Sequence, residues 1–159
     1  MPATTEAQLY DFESQWDSAI KTVLDAIAPT YTPSTPLESA STPYIKAEFN
    51  QRGVAGPASA LLRGQTSELQ PDAFEGEIVI NLVTNRQKSG APNLLRGSIR
   101  AIMLPKAQAF NVALLPWLEV LSLEETSSAR DTDQDLDTDV TALTYKVIYG
   151  IRPDAWPVA

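Results

Sequence analysis

The run from Asp139 to Ile151 is the longest β-favouring stretch of the chain. Leu143, Tyr145, Val147, Tyr149 and Ile151 fall on one face, and Val140, Ala142, Thr144, Lys146 and Ile148 on the other. The run is rich in Val, Ile, Thr and Tyr and meets no proline before Pro153, so it reads as a strand of about 43 Å. A strand that long is either paired along its whole length or projects past the domain towards a neighbour. Three further stretches read as strands. Phe74 to Asn85 puts Phe74, Gly76, Ile78, Ile80 and Leu82 on one side; Tyr44 to Asn50 and Trp117 to Glu124 are shorter.

The helical period appears twice. Leu9, Phe12, Trp16, Ala19, Ile20, Val23, Leu24 and Ile27 recur at spacings of three and four, predicting one amphipathic helix over 6–27. Thr5-Glu6-Ala7-Gln8 fits a capping box at its start, and Pro29 ends it. Pro92 opens a second helix over about 92–104, with Leu95, Ile99, Ile102 and Met103 inside. Between these elements lie a Pro-rich linker (29–43), a loop (51–71) with Gly and Pro throughout, a basic turn (86–90) and an acidic loop (124–139). The order α-β-β-α-β-β predicts an α+β fold: a small, mostly antiparallel sheet of about four strands packed with two helices, in a single domain over 1–159.

Composition narrows the function. Net charge −8 disfavours tight binding to phosphate backbones, which needs Lys and Arg to displace counterions; double-stranded DNA is expected only as passing cargo. Without cysteine there is no disulfide framework or thiolate metal site, and without histidine there is no imidazole base, triad or histidine-ligated zinc. No apolar run is long enough to span a membrane, and the first residues lack the pattern of a signal peptide. The expectation is a protein that is not an enzyme, with no cofactor and no metal.

Two charged groups remain as candidate interface residues. Arg86, Lys88, Arg96 and Arg100 could meet phosphate or an acidic partner, or be ordinary helix-surface charge. Asp131, Asp133, Asp135 and Asp137 lie in the acidic run. Its alternation suggests the opening of a calcium loop, but Leu136 stands where that loop needs glycine and Ala142 where it needs glutamate. A solvated connection that discourages edge aggregation is the plainer reading, and an acidic rim in a ring of copies is a third. Trp16 is expected in the core, and Trp156 at an interface or as a plug at the end of the domain.

The N-terminal amphipathic helix, the Pro-rich linker, Tyr44-Ile45-Lys46-Ala47-Glu48-Phe49, the later helix and the closing segment Thr144–Pro157 together resemble the tail-terminator and neck proteins of tailed bacteriophages. That resemblance implies a structural virion protein in a homo-oligomeric ring, often a hexamer, at the tail end or head–tail interface. Its partners would be the tail tube and head–tail connector proteins. It would be assembled in the host cytoplasm and would reside in the virion, with no catalytic residues and no membrane. A tail tube or minor capsid protein, or a calcium- or ligand-binding module using the acidic loop, are the alternatives.

Overall fold

The computed structural model describes residues 2–33, 42–56, 73–85, 91–103, 110, 113–133 and 138–157. Its α-helices are α1 (Glu6–Tyr10), α2 (Phe12–Leu24) and α3 (Ala91–Met103). Its strands are β1 (Thr30–Tyr31), β2 (Tyr44–Gly56), β3 (Ala73–Asn85), β4 (Leu118–Asp133) and β5 (Thr138–Ile151). They form one α+β sheet in the order β1-β2-β3-β5-β4. β1 runs parallel to β2 and every other neighbour is antiparallel, so the sheet is mixed, with five strands where about four were expected.

The predicted helix over 6–27 is two helices. Asp11 leaves helical geometry (φ −80°, ψ 67°), and its Oδ1 accepts from Ser14 N at 3.3 Å to cap α2. The Gln15 side chain then donates to the carbonyls of Gln8, Leu9 and Asp11, satisfying the end of α1. The break lets Leu9, Phe12, Trp16, Ile20 and Leu24 all reach the core. The expected capping box is present: Gln8 N donates to Thr5 Oγ1, and Thr5 N to Gln8 Oε1.

Three expected connections contain strand residues. In the linker 29–43, Thr30 and Tyr31 pair with Ile45 and Lys46. Asp25 accepts from Thr30 N and Lys21 donates to Thr30 O, which fixes the chain beside β2. The loop 51–71 begins as the continuation of β2 to Gly56. The acidic loop 124–139 is β4 as far as Asp133 and β5 from Thr138. Ladder bonds to β5 override the weak β-preference of Ser and Asp there, because an edge strand keeps its polar side chains in water. Residues 34–41, 57–72, 86–90 and 134–137 lie outside the described residues.

The core lies on one face of the sheet. Ile45, Ala47 and Phe49 of β2, Ile78, Ile80 and Leu82 of β3, and Leu143, Tyr145, Val147, Tyr149 and Ile151 of β5 are all buried there. Trp16 stacks on Phe49 at 5.3 Å and meets Tyr149 and Phe110 edge-on. Such aromatic pairs each add about 0.5–1.5 kcal/mol beyond the area they bury. Gly76 makes room for this cluster, since a Cβ there would stand 2.5 Å from Phe49 Cζ.

Candidate assembly surface

Strand alternation gives the sheet a second face that no helix covers among the described residues. It carries Lys46, Glu48, Asn50 and Arg52 of β2, and Glu75, Glu77, Val79 and Asn81 of β3. From β5 come Ala142, Thr144, Lys146 and Ile148, and from β4 Glu119, Ser122, Glu124, Ser127, Ala129 and Asp131. Two cross-strand ion pairs lie on it: Arg52 with Glu77 (3.1 Å) and Lys146 with Glu75 (3.0 Å). Both pairs are well exposed and add little stability. Glu48, Glu119, Glu124 and Asp131 leave the face acidic. Among the described residues it carries two shallow depressions, each of about 390 Å³. One lies between Tyr31, Thr32, Pro33, Lys46, Glu48 and Asn81; the other is ringed by Arg52, Glu75, Glu77, Thr126 and Lys146.

β4 forms one edge of the sheet, and its two halves differ. Up to Leu123 it contributes Leu118, Val120 and Leu123 to the core. From Thr126 to Thr132 every residue is exposed, on both faces, although the ladder to β5 continues to Asp133 opposite Thr138. At the far end Asp139 is buried. Arg130 Nη2 and Thr132 Oγ1 both donate to its carboxylate, so the charge is compensated.

The two described members of the predicted basic group, Arg96 and Arg100, make separate contacts. Arg100 donates from Nε and Nη2 to the two carboxylate oxygens of Glu125, at 2.9 and 3.0 Å, and Tyr145 OH donates to Glu125 Oε1 at 3.1 Å. The clamp ties α3 to the sheet where β4 leaves the core. Arg100, first of all, holds the Glu125 carboxyl below the usual carboxylate range; burial opposes this and the Tyr145 hydroxyl adds to it. Burial, first, and the Glu125 charge push the Tyr145 hydroxyl up. Arg96 bonds Asn93 on its own helix. Arg86 and Lys88 lie outside the described residues.

Of the predicted acids, Asp131 and Asp133 stand in an extended strand, which cannot wrap an ion as a loop does; Asp135 and Asp137 lie outside the described residues. Among the described residues no group of three His, Cys, Asp or Glu side chains is placed to hold a metal. Trp156 is half-buried and packs on Tyr10 at 6.1 Å, while Ala3 N donates to Ala155 O, so both ends of the chain close one end of the core. The sequence reading missed the Glu125–Arg100–Tyr145 clamp and the exposed Arg52. A carboxylate inside an alternating run, opposite a helix arginine, was the available signal for the clamp.

No family model and no curated protein matches the sequence. A solved structure does match: a chain in the virion of a native gene transfer agent particle, at TM-score 0.58 and 12% identity, over 88% of this chain and 96% of that one. The two chains share a fold. At that identity the likeness speaks for architecture, and it extends over nearly the whole of both chains.

Proposed function

We propose that this chain is a structural virion protein that forms a ring at the end of a phage-type tail tube or at the head–tail interface. The supporting observation is the fold it shares with a chain of a gene transfer agent virion, end to end rather than in one motif. Its role is geometric. Contacts between unlike patches, repeated by rotation, close a ring, and the exposed parts of the sheet dock the layers above and below. The partners are further copies of the chain, the tail tube protein and the connector proteins. DNA passes an acidic surface that does not hold it.

Electron microscopy of intact particles, with this chain located in the density, tests the reading. The expected result is a ring of copies, six by the family resemblance, between tail tube and head. Density along the whole tube, or within the shell, would make it a tube or capsid protein instead. Particles of normal composition that lack the chain altogether would refute the proposal.

A further inference from the structure

Among the described residues the sheet has two open edges, and they are complementary. On one side, β4 from Thr126 to Thr132 is exposed on both faces with its outer backbone edge unpaired among the described residues. On the other, β1 covers β2 only at Ile45 and Lys46, so among the described residues no strand pairs with β2 beyond them. β2, β3, β5 and β4 alternate in direction, so β4 runs opposite to β2. Copies related by rotation about an axis along the strands therefore bring β4 of one against β2 of the next as an antiparallel pair, the more stable kind.

Charge and length fix the register. The uncovered face of β4 carries Asp131 near its end, and that of β2 carries Arg52, whose side chain is 51% exposed. Arg52 is the extra residue of a bulge, lying between Gln51 opposite Gly76 and Gly53 opposite Glu75, so it has no ladder partner on β3. With Asp131 opposite Arg52, Asp133 falls opposite Asn50, four residues short of Lys46, where β1 pairs. In the same register Ser127–Thr132 runs along Gln51–Gly56, the part of β2 that β1 leaves open. Two β4 edges suit each other poorly, because Glu124 and Asp131 would bring like charges together. We infer that the distal half of β4 adds to the β2 edge of a second copy of this chain, with Asp131 beside Arg52, and that this join links neighbours in the ring. The inference rests on the ring reading above and specifies its contact.

The chain has no cysteine, so single-cysteine variants report the join directly. Opposed residues of an antiparallel pair lie about 4.5–5.5 Å apart at Cα, within disulfide reach. Asp131→Cys and Arg52→Cys chains are mixed under mild oxidation, at a concentration where native mass spectrometry detects oligomers, or in assembled particles. The expected result is a disulfide-linked dimer from the mixture and none from either variant alone. For the charges, Asp131→Arg and Arg52→Asp should each lower assembly by about tenfold, and chains carrying both changes should recover it. Thermal melts equal to that of the parent chain exclude misfolding. Oligomers that form without the cross-link, or a dimer from Asp131→Cys alone, overturn the inference and leave the ring standing. No oligomer in solution or particle overturns both.

Discussion

Replacing Gly76 with alanine tests the account of the core most directly. Gly76 sits in β3 opposite Gln51, and the ring of Phe49 lies across it, with Cζ 2.5 Å from where a Cβ would be. That contact is about 1 Å inside ordinary van der Waals distance. Phe49 cannot swing away cheaply: it is 4% exposed, stacks on Trp16 at 5.3 Å and meets Tyr149 edge-on at 5.8 Å. Trp16 and Tyr149 are themselves fully buried, so displacing Phe49 moves three rings. Overpacking of this kind costs about 1–3 kcal/mol, and the absence of slack places Gly76→Ala near the top of that range. For a domain of this size the midpoint of thermal unfolding should fall by roughly 5–10 °C. Denaturant melts followed by tryptophan fluorescence measure it. Phe49→Leu in the same chain should recover about half of the loss, since the shorter side chain vacates the contact. A Gly76→Ala chain within about 0.5 kcal/mol of the parent would refute the packing argument, because ordinary surface substitutions fall in that window.

Glu125 should make part of the stability acid-sensitive. Its carboxyl is held below the usual range in the folded chain, so its contribution is present above the unfolded carboxylate pKa and is lost as pH falls through the folded one. Glu125→Gln should cost about 1 kcal/mol at neutral pH, discounted because Arg100 is about a third exposed, and the difference from the parent should vanish in acid melts. Equal costs at both pH values would count against the clamp. Tyr145 and Tyr149 work in the opposite direction. Burial raises both hydroxyls, so the folded chain keeps these protons where an unfolded chain releases them, and stability falls as pH rises past the ordinary tyrosine value. Phenolate absorbance from these two residues, isolated by Tyr→Phe differences, should appear together with loss of structure. Ionisation of either in a chain that stays folded would refute the burial argument.

What could be read from the sequence was whatever short-range pattern decides. β5 and β3 alternate as their residues predict, and Trp16 fills the core, because a buried face imposes period two and a helix stripe imposes spacings of three and four. The distal half of β4 could not be read, since Thr126 to Asp133 has no apolar period at all. It is a strand because β5 holds it, a decision made by a partner from another part of the chain. β1 is two residues long and depends on Asp25 and Lys21 for its position, which no local propensity expresses. Asp11 carried its own signal, a helix-capping residue set three before Ser14, yet the apolar stripe ran through it unbroken. The candidate surface was half legible. Asp131 was singled out for its charge but assigned to a loop. Arg52 passed unnoticed inside a stretch whose glycines and prolines suggested no strand.

The exposed end of the sheet also has a physical basis for keeping its pairing. A lone hairpin with both faces in water is marginal. Here the β4 edge is the outer member of three strands, because β5 pairs with β3 as far as Asn85 opposite Thr138 while it pairs with β4 to Asp133. Arg130, Asp139 and Thr132 then bind the two outer strands across their last ladder positions, with Asp139 buried beneath them. A buried carboxylate would be costly if unpaired, so the cluster enforces one register instead of allowing slippage. Stability is concentrated in the half that carries Leu118, Val120 and Leu123, and the other half is held stiffly at little cost in apolar surface. That division suits the proposed join, in which the outer strand meets a second copy without first folding onto its own core.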